Sequence, residues 1–198
     1  MGISLIINDL VGKSWSVIPN FFSTALVQAL HDELQLHVRR DELHPAKVGS
    51  HINETLRRDI RGDDILRLDG STENQTYYLD IMNSLKLALN RSLFLGLDTF
   101  ETHFAIYPPG AGYQKHVDSF RNNNFRRITV VSYLNSHWQP QNGGELLLFD
   151  TNDDVIASVA PIAGTLACFV SQAIPHEVST TYATRYSIAG WFRIREPI

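Results

Sequence analysis

The stretch Tyr113-Gln114-Lys115-His116-Val117-Asp118 decides how the rest of the chain is read. As a strand over 113–118 it sends side chains i and i+2 to one face, so His116 and Asp118 lie together while Val117 turns into packing. A histidine and a carboxylate so placed can ligate one ion, and further ligands must come from distant segments. His176, in Pro175-His176-Glu177-Val178, offers a third donor, and Arg185 follows nine residues later. Two histidines and one carboxylate can occupy one face of an octahedral Fe(II), leaving three positions for other ligands. Arg185 adds a planar, permanently charged fork suited to the far end of a dicarboxylic cosubstrate such as 2-oxoglutarate.

The tripeptide alone is weak, since a chain of 198 residues with eight His and 21 acidic residues contains such a spacing by chance. Its surroundings make it specific. Strands are expected at 101–107, 113–118, 127–134, 145–150, 155–160, 165–170 and 185–193, separated by turns at Pro108-Pro109-Gly110, Asn142-Gly143-Gly144 and Ala163-Gly164. Short strands at this spacing predict a jelly-roll barrel able to bring His176 opposite His116. The first half reads as support. Ser23 caps a helix running to about Arg39, with Leu26, Leu30 and Leu34 on one face. A second helix begins at Thr72, which has capping-box spacing to Gln75, carries an apolar face of Tyr78, Ile81, Met82, Leu85 and Leu89, and stops at Gly96. Residues 59–70 hold a short strand between the helices. The expected organisation is one mainly β domain over 1–198, with helical support over about 20–96 and a β core over about 100–195.

Composition narrows the function. The net charge of −4 argues against a bulk electrostatic grip on nucleic acid. Cys168 is the one cysteine and lies in the apolar run Leu166-Ala167-Cys168-Phe169-Val170, so a buried inert thiol is expected. The run from Ile3 to Ile7 lacks a basic flank and is interrupted by Asn8 and Asp9, unlike a signal peptide, and no stretch is long enough to span a bilayer. A reducing cytoplasm is the expected location.

Side by side, these segments resemble the prolyl 4-hydroxylase group of Fe(II)/2-oxoglutarate dioxygenases, nearest to the branch of oxygen-sensing prolyl hydroxylase domains and their bacterial relatives. The residues that carry the resemblance are Ile60-Arg61-Gly62-Asp63, Tyr107-Pro108, Gly112 through Asp118, Tyr133-Leu134-Asn135, Trp138, Gly143-Gly144, Pro175-His176-Glu177-Val178 and Tyr182-Ala183-Thr184-Arg185-Tyr186. They span about 58–193. The resemblance implies a double-stranded β-helix core and iron held by His116, Asp118 and His176. It implies that Arg185 pairs with the distal carboxylate of 2-oxoglutarate, that Tyr133 adds a hydroxyl to the same carboxylate, and that Tyr107, Tyr113 and Trp191 line the pocket. The implied reaction consumes O2 and 2-oxoglutarate, with ascorbate as an auxiliary reductant, and hydroxylates C4 of a prolyl residue in a protein loop; elongation factor Tu is one candidate.

On the substrate side, Arg61, Asp63 and Arg126 match family positions, the last two as a pair tying an early loop to the barrel mouth. The polar, basic segment 119–127 that follows the His-Val-Asp strand is a candidate for peptide entry. His31, His37, His44, His51, His103 and His137 have no ligand spacing and are expected to be structural or exposed. Three alternatives stay open: a small-molecule hydroxylase acting on a free amino acid, a demethylase acting on nucleic acid, and a non-catalytic sensor of iron and 2-oxoglutarate. Neither a membrane partner nor a nucleic-acid partner is expected, and the sequence leaves the oligomeric state open.

Overall fold

Apolar residues alternate with small polar ones along the strands of the second half, and this period of two separates a face turned to helices from a face turned to a second sheet. The computed structural model describes residues 2–48, 55–118 and 125–196. In chain order it contains α1 (Gly2–Lys13), β1 (Trp15–Ile18), α2 (Thr24–Arg39), β2 (His44–Pro45), β3 (Asp64–Arg67) and α3 (Glu73–Leu93). Then follow β4 (Leu97–Tyr107), β5 (Tyr113–His116), β6 (Arg126–Tyr133), β7 (Leu146–Phe149), β8 (Val155–Val159), β9 (Leu166–Val170), β10 (His176–Val178) and β11 (Arg185–Ile194). The strands form a seven-stranded sheet in the order β1-β9-β6-β11-β4-β3-β2 and a four-stranded sheet in the order β5-β10-β7-β8. This is the expected mainly β, jelly-roll architecture with helices packed on it.

One face of the larger sheet carries Phe104, Ile106, Ile128, Val130, Ile188 and Phe192. These residues pack with Leu30 and Leu34 of α2 and with Tyr78, Met82, Leu85 and Leu89 of α3 in one buried cluster. Each such side chain, fully buried, contributes about 1.5–3 kcal/mol of transfer free energy. A polar contact fixes the register of helix on sheet, because the Tyr78 hydroxyl meets the Ser132 Oγ at 3.1 Å in the buried interior. The opposite face of the same strands presents Tyr133, Ala167 and Phe169 to Leu146 and Leu148 of the smaller sheet. Cys168 points to the helix side, 1 % exposed, and burial pushes its thiol well above the ordinary range, as expected for an inert cysteine.

The two expected helices begin where their caps place them. The Ser23 hydroxyl accepts from the Leu26 N–H at 3.3 Å and the Thr72 hydroxyl from the Gln75 N–H at 3.2 Å. Gln75 does not return to its cap. Its side-chain carbonyl accepts from the Asp69 and Gly70 N–H groups, and its amide donates to Glu33, tying α3 to the preceding turn and to α2. Helix α3 ends at Phe94, whose left-handed φ of 53° closes it two residues before Gly96. Three elements of the first half exceed the sequence expectation, one of them the two-residue strand β2 that pairs with β3. Helix α1 buries Ile6 and Leu10 in the main cluster, and β1 adds an edge strand to β9. The strand expected over 113–118 ends at His116 instead, so Asp118 lies just beyond it.

Candidate active site

His116 and His176 are 60 residues apart in sequence and direct cross-strand partners in space, because β10 pairs antiparallel with β5 in that register. Their rings approach to 4.3 Å between centroids. Each ring is aimed by its own backbone: His116 Nδ1 lies 2.8 Å from the Gln114 carbonyl and His176 Nδ1 lies 3.1 Å from the Ile174 carbonyl. A proton on Nδ1 in that bond leaves Nε2 as a lone-pair donor. Both Nε2 atoms face Asp118, His116 at 3.5 Å from Oδ1 and His176 at 3.5 Å from Oδ2. One ligand atom from each of the three residues lies within 4.8 Å of the other two. Donors bound about 2.1 Å from a common ion stand about 3–4 Å apart, so this set fits a divalent metal after small closure.

The electrostatics agree with that use. Burial lowers His176 to about 4, with the pull of Asp118 only partly opposing it, which keeps the imidazole neutral at pH 7. Burial alone would raise Asp118, but His176 and His116 outweigh it and hold the carboxylate well below its usual range. Asp118 Oδ2 also accepts from the Thr129 hydroxyl at 2.7 Å, and Thr129 Oγ1 lies 2.9 Å from Ser171 Oγ. Thr129 projects from β6 on the inner face, so the larger sheet supports a ligand that follows a strand of the smaller one.

Arg185 opens β11 opposite Tyr107 of β4 and is only 1 % exposed. Its Nε–H donates to the Gly144 carbonyl at 2.9 Å and Nη1 donates to Ser187 Oγ at 3.1 Å. The guanidinium carbon lies 5.0 Å from the Tyr107 ring centroid and 5.2 Å from that of Tyr133. No carboxylate pairs with Arg185 among the described residues. Among the described residues the fully buried Tyr133 hydroxyl likewise makes no hydrogen bond of good geometry, and burial, partly opposed by neighbouring Arg185, raises its phenol to about 12, so it stays neutral. A buried cation and a buried hydroxyl left unsatisfied are costly. One carboxylate beside Arg185 would pair with that cation next to Tyr133, which is the fit a dicarboxylic cosubstrate requires.

The remaining candidates divide between this cavity and a larger cleft outside it. Tyr107, Tyr113 and Trp191 all line the cavity with the three candidate ligand residues. Tyr113 stacks on His116 at 3.7 Å between centroids and restrains that ring. Trp191 is 5 % exposed, lies beneath the Arg126 guanidinium at 3.7 Å and packs against His103 at 5.4 Å. The ion pair expected between Asp63 and Arg126 is not the one formed. Asp63 accepts from Arg61 at 2.8 Å and 3.0 Å, whereas Arg126 donates to Glu101 at 2.7 Å. Residues 61 and 63 point to the same side of an extended segment, so Arg61 reaches the buried carboxylate first. Positions 119–124 of the expected basic entry segment, and His51, lie outside the described residues.

Some functional positions escaped the sequence. Thr129 looked like an ordinary β-former, and only its inward parity on a strand beside the ligands could have marked it. Gly144 was expected as a turn residue, but it also carries the carbonyl that aims Arg185. His103, expected to be structural or exposed, lies 8 % exposed in the wall of the outer cleft, 3.5 Å from Arg61 Nη2. Burial, reinforced by Arg61, lowers it to about 4.

The profile of the 2OG-Fe(II) oxygenase superfamily matches residues 102–193. Human prolyl hydroxylase EGLN3 is 35% identical over 144 residues, which cover 69% of this chain and 60% of that protein. Human Egl nine homolog 1 is 34% identical over 143 residues, covering 68% of this chain and 33% of that protein. The chain thus matches 60% or less of the length of these curated relatives. A solved Pseudomonas putida prolyl-4-hydroxylase is similar over 98% of this chain and all of its own, with 40% identity and a TM-score of 0.89. A Trichoplax adhaerens prolyl hydroxylase, solved with a peptide of the hypoxia inducible factor oxygen degradation domain, covers 96% of this chain and 88% of its own at 28% identity and a TM-score of 0.86.

Proposed function

Because the chain belongs to the prolyl 4-hydroxylase family of 2OG-Fe(II) oxygenases, we propose that it hydroxylates C4 of a prolyl residue presented by a loop of another protein. The observation that carries this is the pairing of a three-donor set with a buried Arg185, which no carboxylate of the described residues meets, in one cavity that adjoins a wide cleft.

His116, Asp118 and His176 would hold Fe(II), with Thr129 fixing Asp118 and the two backbone carbonyls fixing the imidazoles. Arg185 and Tyr133 would hold the distal carboxylate of 2-oxoglutarate. When bound, the metal and cosubstrate supply O2 activation coupled to oxidative decarboxylation, giving succinate and CO2 and delivering one oxygen atom to a C–H bond. The protein's share is orientation and exclusion of water. Tyr107 and Tyr113 wall the cavity, and Trp191, held by Arg126 and His103, closes the side facing the cleft. Asp63, held by Arg61, and Arg126 are then positioned at the mouth, where a substrate loop would enter.

The cleft measures about 880 Å3 and is lined from β2, β3, β4, β5, β6 and β11. That is room for several residues of extended peptide, which favours a protein segment over a free amino acid. Elongation factor Tu is our candidate substrate, and a cytoplasmic location belongs to the same reading. No helix among the described residues is long and apolar enough to cross a membrane.

The test is mass spectrometry of lysate proteins incubated with the chain, Fe(II), ascorbate and 2-oxoglutarate. The proposal expects the mass of one oxygen atom on a single proline, absent with His116→Ala. Succinate formed on small molecules, with no protein modified, would transfer the assignment to a metabolite hydroxylase.

A further inference from the structure

We infer that the outer cleft takes prolyl segments flanked by aspartate or glutamate. The whole chain carries a net charge of −4, yet Lys47, Arg61, Arg67, Lys115, Arg126 and Arg193 line this one cleft against Glu101 and Asp118. Asp118 faces the two histidines rather than a substrate. Arg61 is neutralised by buried Asp63. The rest leave a positive surplus. Exposed Lys47 and Arg67 form no ion pair among the described residues, although Arg67 stands near enough to exposed Asp69 to help lower its carboxyl. Arg126 and Arg193 share the single carboxylate of Glu101, at 2.7 Å and 3.5 Å, and Arg193 also meets exposed Glu196. Lys115 pairs with Asp153, which is 69% exposed and exchangeable for a ligand carboxylate at little cost.

A concave wall of one sign focuses the field and raises the encounter rate of segments of opposite sign. Charges so placed discriminate between flanking sequences more than they add affinity, and salt weakens them over a Debye length of about 8–10 Å. The apolar side of the cleft, with Ile60, Ile65 and Trp191, leaves the proline ring itself a nonpolar seat. The inference rests on the peptidyl-proline reading for the reacting residue, but its electrostatic content can be measured separately.

The experiment compares two peptides with one proline-centred core, flanked either by Asp and Glu or by Lys, together with analogues in which Ala replaces the proline. Fluorescence anisotropy follows binding of the Ala analogues to the full chain loaded with Mn(II) and 2-oxoglutarate, and kcat/KM follows hydroxylation of the prolyl forms with Fe(II). We expect the acidic analogue to bind about tenfold or more tightly, a gap that shrinks as salt rises and closes in Lys47→Glu/Arg67→Glu. Equal binding, a preference for the Lys-flanked analogue, or displacement of the acidic analogue by a single-stranded oligonucleotide at lower concentration would overturn the inference. Hydroxylation without flank preference would overturn it while sparing the prolyl reading. Tight acidic binding with no hydroxylation would support the cleft's selectivity and remove the prolyl reading instead.

Discussion

Arg185 donates its Nε–H to the Gly144 carbonyl at 2.9 Å, so a backbone atom in a left-handed glycine aims the buried cation of the cavity. A Cβ at Gly144 would stand 3.1 Å from Arg185 Cδ and from the Thr181 side chain, at a φ of +68° that side-chain-bearing residues rarely adopt. Gly144→Ala should therefore raise the Kd for 2-oxoglutarate about tenfold. Arg185→Gln should raise it about thirtyfold or more, the cost of leaving a buried carboxylate without its charged partner. Calorimetric titration with Mn(II) in place of iron reads both. An unchanged Kd in Arg185→Gln would mean that the cosubstrate's tail is held elsewhere.

Thr129→Val keeps shape and removes the one hydroxyl that donates to Asp118 Oδ2. Loss of such an outer partner typically weakens metal affinity about 10- to 100-fold. A chelator-competition titration should find that loss with the 2-oxoglutarate affinity of the metal-loaded protein little changed. Equal metal affinity in the variant would assign Thr129 a packing role only.

Stability of the metal-free protein should fall in mild acid. Burial and Arg61 hold His103 at about 4, against 6.5 for the free side chain. The unfolded chain therefore binds the extra proton between these values. The stabilisation is complete above pH 6.5 and is lost as pH falls toward 4. A shift of this size corresponds to on the order of 3 kcal/mol. His176 shifts in the same direction and adds to the slope. His103→Gln, which cannot titrate, should flatten the urea-derived stability profile by about half across that window; a profile identical to the parent protein would contradict the assignment.

The site was more legible than its supports. Spacing marked His116 and Asp118 as candidate ligands, because parity on an extended segment is a local property, and His176 and Arg185 were legible as distant candidates by residue type before the resemblance joined them to that pair. The strands of the second half were legible within a residue or two for the same reason, apart from the extra length of β4 at its start and the three-residue β10, which no expected strand range included. What stayed hidden depends on contacts remote in sequence. Helix α1 offers a short apolar face of Ile3, Ile6, Ile7 and Leu10, whose purpose is set by the core it covers, and β1 is a four-residue edge defined by β9. The Asp63 partner was misassigned because two arginines, Arg61 and Arg126, could each reach the mouth and only the folded geometry chooses.

The helix caps make an independent claim about the scaffold. Thr72 accepts from the Gln75 N–H and donates to Glu33, joining α3 to α2. Thr72→Ala should cost about 1–2 kcal/mol and lower Tm by about 2–8 °C, while the Kd for 2-oxoglutarate stays unchanged. A shift below about 1 °C would show that neither bond matters to the fold.

The central claim is that one cavity joins iron, 2-oxoglutarate and a peptidyl proline. It is tested most directly by following succinate release and hydroxyproline formation together, with an acid-flanked prolyl peptide in one reaction and free L-proline in another. We predict succinate and 4-hydroxyproline formed in equal amounts with the peptide, neither stimulated by free proline, and both abolished in Asp118→Ala. Stimulation by free proline alone, or full turnover in Asp118→Ala, would contradict the account.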